Sequence, residues 1–188
     1  MAEHDLSGKK VAILVAHGFE QVELTEPRKA LQEAGAETHI VSPADGKVKG
    51  WVHGEWGDEF DVDVPLAAAR ASEYDALVLP GGQMNPDNLR ANADAVAFAR
   101  SFFDAHKPVA AICHGPWLLV EAGVVEGRRM TSYHSIRTDL KNAGAEWVDE
   151  EVVVDSGLVT SRSPKDLPAF NRKLVEEIAE GKHAGQTA

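Results

Sequence analysis

The chain has 188 residues, 44% hydrophobic and 26% charged, which suits one folded domain with its own core and excludes a disordered polypeptide. With 30 acidic against 19 basic side chains the net charge is −11, so the surface repels phosphate backbones and nucleic-acid binding is disfavoured. No apolar run approaches the roughly 20 residues of a membrane span, and no secretory signal is expected from the start MAEHDLSGKK. A single cysteine excludes an internal disulfide and suits a reducing, cytoplasmic setting. The eight histidines are scattered without metal-binding spacings, so neither a metal nor another cofactor is expected.

Residues 9–16 (KKVAILVA) are an apolar, β-branched run and predict a buried parallel strand. Helical spacing follows over 22–34, closed by Gly35, and 37–42 (ETHIVS) alternates as the next strand. This opening predicts a right-handed crossover on a parallel sheet. Residues 43–64, rich in Gly, Asp and aromatic side chains, predict a small hairpin excursion with strands at 47–51 and 60–64. A short helix at 67–72 leads to a strand at 76–80 (ALVLP), and 91–106 carries a long helical pattern. The run 108–112 (PVAAI) predicts a further buried strand, entering Cys113 and a helix at 117–122. Weaker strands are expected at 131–133 and 147–148, with a helix near 136–143 between them. Residues 152–155 and 158–161, joined by Ser156-Gly157, predict a β-hairpin, and 167–180 a closing amphipathic helix.

The alternation predicts an α/β fold, a three-layer α/β/α sandwich on a mostly parallel sheet, as one domain over 9–180. Residues 1–8 and 181–188 are expected to be flexible tails. Ligands in such folds bind at the carboxyl ends of the strands, which selects the loops at 17–21, 81–87 and 113–116.

In the last of these, a strand runs through Cys-His-Gly-Pro straight into a helix, the layout of a nucleophile elbow. Gly115 allows close backbone approach, and Pro116 suits a first helical turn. The helix terminus is expected to favour a Cys113 thiolate. A buried structural cysteine is the alternative, which the Gly-Pro helix start and the adjoining histidine make the weaker one. His114 has the chemistry of a general acid/base or, through its N–H, of an oxyanion donor; an exposed loop histidine is the equal alternative. Glu20 follows the first strand, from where a carboxyl of raised pKa can hand a proton to the sulfur. The competing reading, an acid favoured by a helix N-terminus, is the stronger one for Glu20 on these residues alone, and it describes Glu23 and Glu26 still better. Pro80-Gly81-Gly82 turns sharply and presents N–H groups to an anion, though alone it is only a turn signal.

The segments GFEQVELTEP (18–27), DALVLPGG (75–82), NPDNLR (85–90), PVAAICHGP (108–116), TSY (131–133) and DLKNAGAEWVDEEVVVD (139–155) resemble the PfpI family. That family lies within the class I glutamine-amidotransferase-like superfamily that includes the parkinsonism-linked protein deglycase. The resemblance implies a flavodoxin-like sandwich with Cys113 as nucleophile, His114 beside it and Glu20 as the carboxyl on the sulfur. It further implies an oxyanion hole from Gly82 and His114, and an acid, Asp87, that reaches the histidine from a neighbouring subunit of a dimer or hexamer. Asp stands at that position where relatives carry Glu, and His134 stands where many have proline. His134 is expected to face solvent, and His17 and His53 lie in family-like contexts without an assigned role. The implied activity is cofactor-independent repair of small α-oxoaldehydes, such as methylglyoxal, or of their early glycation adducts. The alternatives are a cysteine peptidase and a non-catalytic oxidative-stress sensor or chaperone.

Overall fold

Val11, Ala12, Ile13 and Leu14 are all fully buried, as a strand covered on both faces requires. They belong to β1 (Lys10–Leu14) in a computed structural model that describes residues 4–188. The chain continues through β2 (Phe19–Glu20), α1 (Gln21–Glu33), β3 (Glu37–Ser42), β4 (Lys47–Val52), β5 (Glu55–Asp61) and β6 (Val64–Pro65). Next come β7 (Ala76–Leu79), α2 (Met84–Arg90), α3 (Ala93–Asp104), β8 (Val109–Ile112) and α4 (Pro116–Glu121). The last elements are β9 (Arg129–Met130), α5 (Arg137–Asn142), β10 (Glu146–Trp147), β11 (Val153–Asp155), β12 (Leu158–Ser161) and α6 (Leu167–Glu180).

Seven strands form the main sheet in the order β11-β12-β8-β7-β1-β3-β6. Every neighbouring pair is parallel except β11 with β12. One face packs on Phe98, Phe102, Phe103 and Leu119, the other on Leu24, Leu31, Phe170 and Leu174, so two apolar cores flank the sheet. This is the flavodoxin-like α/β sandwich, with β2, β4 and β5 as a separate three-stranded excursion. Among the described residues no helix is long and apolar enough to cross a membrane.

Several elements differ from expectation. His53 and Gly54, at φ 48° and 86°, make the tight turn between β4 and β5, so the second hairpin strand is Glu55–Asp61 rather than 60–64. Residues 64–65 instead join the main sheet as β6. The expected helix over 91–106 begins at Ala93, because the Asn92 side chain accepts the N–H groups of Asp94 and Ala95 as an N-cap. A separate helix, α2, precedes it. The short helix at 67–72 is two 3₁₀ turns, and the strand expected at 131–133 lies earlier, at β9, paired with β10.

The expected tails are docked rather than free. Leu6 is fully buried and its N–H donates to Ala34 O at 2.7 Å; residues 1–3 of that tail lie outside the described residues. Gln186 is also fully buried, its carbonyl 2.6 Å from His106 Nδ1, while Arg128 Nη2 donates to Thr187 O at 2.7 Å. The polar segment 181–188 is held by backbone acceptors rather than by apolar burial, which is why its composition resembles a loose end.

Candidate active site

The crossover through α1 carries the chain from β1 to β3, whereas β7 lies on the other side of β1. The crevice of such a sheet opens at this switch of direction, at the carboxyl ends of the strands. Three loops meet there, following β1, β7 and β8. Cys113, the first residue after β8, has φ 62°, a left-handed conformation that costs a side-chain-bearing residue about 1–3 kcal/mol. Its N–H donates to Ser161 O at 3.0 Å and its carbonyl accepts the Tyr133 N–H at 2.9 Å, so both neighbours hold the strained turn. Gly115 lies against the end of β7, where a Cβ would stand 2.5 Å from Leu79 O, and Pro116 opens α4.

The carboxyl on the sulfur is Glu23, not Glu20. In α1 the buried residues are Glu23, Leu24, Pro27 and Leu31, and the stripe that seats the helix on the sheet carries Glu23 inward with no solvent exposure. Its Oε2 accepts the Gly81 N–H at 2.7 Å, and the carboxyl faces the Cys113 thiol. Glu20 stands three residues earlier, at the N-cap of α1, half-buried and under the charge of His53. Burial raises the Glu20 pKa somewhat, against the pull of His53.

Burial also pushes Glu23 up to about 8; the Gly81 N–H opposes this, and the charge of Glu20 adds to it. The thiol of the buried Cys113 is pushed up by burial first and then by any charge on Glu23. The N–H groups of Gly82 and His114 point at the sulfur and pull it the other way. The lowering expected from the helix terminus is thus outweighed by desolvation, since α4 has only 6 residues and the sulfur is nearly enclosed. Two ionised groups so close in a dry site repel strongly, so the pair carries one negative charge at a time.

The backbone N–H groups of Gly82 and His114, the two residues expected to form an oxyanion hole, both lie on the sulfur side of the crevice. Gly82 needs its φ of 76°, and a Cβ there would strike Glu20 N and Gly18 O at 2.6 Å. His114 Nδ1 is 3.2 Å from Cys113 Sγ, and its Nε2 is 3.2 Å from Ser135 Oγ. Tyr133 stacks on the imidazole at 4.8 Å and Trp117 meets it edge-on at 5.2 Å. Burial, then His134, lowers the His114 pKa. His134 itself is exposed, as expected, 4.4 Å from the Tyr133 ring. Asp87 is exposed and takes Arg90 Nη2 and Nε at 2.7 and 2.9 Å, while the Arg90 guanidinium lies 4.3 Å over Trp117. Within the chain, Asp87 therefore reaches the His114 surround only through Arg90 and Trp117. His17 and His53 are exposed at the rim, where His17 Nδ1 accepts the Lys49 N–H at 3.1 Å.

Asn85 is a site residue that sequence reasoning passed over. Fully buried, it accepts the Ala16 N–H at 2.7 Å and donates to the carbonyls of Pro80 and Gly81 at 3.0 and 3.1 Å. One amide thereby ties the loop after β1 to the loop after β7. Its signal in the sequence was the Asn-Pro following Gly-Gly, an amide in a loop otherwise read as a turn.

Fold and site together define a flavodoxin-like α/β protein with a strained cysteine elbow facing a buried carboxyl. The chain belongs to the DJ-1/PfpI family, whose model matches residues 9–177. It is 48% identical to General stress protein 18 of Bacillus subtilis over 170 residues, spanning 89% of this chain and 96% of that protein. It is 47% identical to Deglycase PfpI of Pyrococcus furiosus over 167 residues, spanning 89% of this chain and 98% of the relative. The crystal structure of Drosophila melanogaster DJ-1beta superposes with a TM-score of 0.83 at 30% identity, covering 93% of this chain and 91% of that one.

Proposed function

We propose that the chain is a deglycase- or glyoxalase-type enzyme that acts on small α-oxoaldehydes or their early adducts through Cys113, without a bound cofactor. Relatives named deglycases at 47% identity support the class of activity. The observation that carries the reading is the buried Cys113 and Glu23 pair beneath the N–H groups of Gly82 and His114.

In this reading the Cys113 thiolate adds to the aldehyde carbon of methylglyoxal. The carbonyl oxygen becomes an oxyanion held by the two N–H donors and is protonated to a hemithioacetal. Removing the hydrogen from the former aldehyde carbon and delivering a proton to the adjoining carbon turns the hemithioacetal into the thioester of lactate. Water cleaves the thioester, releasing lactate and restoring the thiol. The sum is one aldehyde and one water to one hydroxy acid, with no external oxidant. Glu23, rather than Glu20, is the proton carrier, since a carboxyl titrating near 8 both gives and takes protons at neutral pH. His114, close to the sulfur and held neutral by burial, is the second candidate.

Cys113 is a buried residue, 7% exposed, which favours a small aldehyde over a polypeptide chain and sets the peptidase reading behind this one. Asp87 enters only as a residue of a second copy of the chain, since in its own chain Arg90 engages it. The deciding experiment measures lactate formed from methylglyoxal by the wild type and by Cys113→Ser. Turnover falling to background in the variant supports the mechanism, and retained turnover overturns it.

A further inference from the structure

A second cluster of ligating side chains lies at the opposite end of the sheet from the elbow. Glu177 and Glu180 stand three residues apart on one face of the last turns of α6. Gly181, at φ 87°, ends the helix and turns the chain back, so that His183 returns over that face. The His183 N–H donates to His106 O at 3.0 Å, ahead of β8. Its ring packs against Gly157, in the turn before β12, where a Cβ would sit 2.9 Å from His183 Cδ2. The imidazole is thereby fixed with Nε2 3.1 Å from Glu177 Oε2 and 3.8 Å from Glu180 Oε2. The three ligating atoms lie within 4.8 Å of one another.

Two of these atoms are buried without a hydrogen bond. The Glu177 side chain is 8% exposed; its Oε2 and His183 Nε2 face each other at ion-pair distance, yet among the described residues neither makes a hydrogen bond, with each other or with a third group. Buried polar atoms are nearly always bonded, so this pair is the exception that calls for a reason. An imidazole nitrogen and two carboxylates are the donor set of a borderline divalent cation. Tetrahedral zinc, with bonds of about 2.0–2.2 Å, holds its ligand atoms roughly 3.4 Å apart, a value between the two separations seen from His183. Magnesium and calcium favour all-oxygen sets and fit less well.

We propose that Glu177, Glu180 and His183 form a zinc-class metal site, with a fourth position for water, that clasps the C-terminal segment onto α6. The residues beyond His183 supply the reason for a clasp. Gln186 and Thr187 bond to His106, Lys107 and Arg128, so an ion on His183 locks a segment otherwise held by a few polar contacts.

The test titrates the chelator-treated full chain with zinc chloride, and in parallel with cobalt chloride. One metal per chain is expected, with a rise in Tm of roughly 5–10 °C when zinc exceeds its Kd a hundredfold. Cobalt is expected to give the visible bands of a tetrahedral nitrogen and oxygen site. His183→Ala abolishes both signals, as does Glu180→Gln, whose side chain is 53% exposed and whose loss leaves the packing intact. Cys113→Ser retains both, which separates this site from the thiol at the elbow. Binding that survives His183→Ala and Glu180→Gln, binding lost with Cys113→Ser, or no binding at micromolar zinc overturns the assignment.

Discussion

The Glu23 carboxyl and the Cys113 side chain meet across Gly81. A Cβ built on that glycine would lie 2.5 Å from Glu23 Oε2 and 2.6 Å from Cys113 Cβ. The glycine keeps acid and thiol within one proton's reach, while its N–H fixes the acid at 2.7 Å. Everything the site does with protons depends on this spacing.

Gly81→Ala tests the spacing directly. The added methyl also meets Ile112 O at 2.7 Å, so backbone as well as side chains must give way. Overpacking of this kind costs about 1–3 kcal/mol, and Tm is expected to drop by several degrees. Turnover of methylglyoxal is expected to fall at least tenfold at temperatures where the variant is folded. A variant that melts like the wild type and retains full activity would show that the crevice is looser than these distances imply.

Alkylation by iodoacetamide reads the proton on Glu23. At pH 7 an acid titrating near 8 is largely protonated, and a proton on its carboxyl, which faces the thiol, is one it can offer to the sulfur. Glu23→Leu removes that donor and is expected to slow Cys113 alkylation at pH 7 at least tenfold, while Glu23→Gln, which keeps an N–H donor, slows it less. Faster alkylation in Glu23→Leu would mean that Glu23 acts on the thiol through charge, and would remove its role as proton donor.

Stability against pH provides an independent reading of the same carboxyl. Glu23 is raised from 4.5 to about 8 in the folded chain, so the native state holds a proton that the unfolded chain releases earlier. Its contribution to stability is therefore greatest below about 4.5, declines as pH rises to about 8 and is level beyond. Between pH 5 and 8 the wild-type Tm is expected to fall more steeply than that of Glu23→Gln. The difference should reach several degrees by pH 8. Parallel curves for the two proteins would mean that Glu23 is ionised throughout.

Much of this was legible in the sequence, and the failures have specific causes. The runs KVAIL, ALVL and VAAI have little choice but a doubly covered sheet, and all three became buried parallel strands. Cys113 was readable because Gly115 and Pro116 prescribe a strand-to-helix turn around it. Glu23 was not, because nearness along the chain favoured the loop residue Glu20. The helical stripe of Leu24, Pro27 and Leu31 already placed Glu23 on the buried face. The helix α2 escaped because its first turn falls inside the loop assigned to 81–87; Pro86 sits in that turn, where a missing N–H costs nothing. Docking of Gln186 left no local signal, since its partners His106 and Lys107 lie some 80 residues earlier.

Asn85 is expected to be a positioning residue, which its variants should reveal. Asn85→Ala leaves the Ala16 N–H and the carbonyls of Pro80 and Gly81 buried without their partner. Unpaired buried groups cost about 1–3 kcal/mol each, though relaxation and water entry recover part of this. A loss of about 2–4 kcal/mol corresponds to a Tm lower by roughly 5–15 °C. Asn85→Asp keeps the acceptor for Ala16 but turns a carboxylate towards the two carbonyls, and should be at least as damaging. Because Asn85 holds the Gly81-Gly82 turn, kcat is expected to fall through misplacement of the oxyanion donors, while the pH profile of Cys113 alkylation keeps its shape. An alkylation profile displaced along the pH axis in Asn85→Ala would instead place this amide in the proton equilibrium of the thiol and carboxyl themselves.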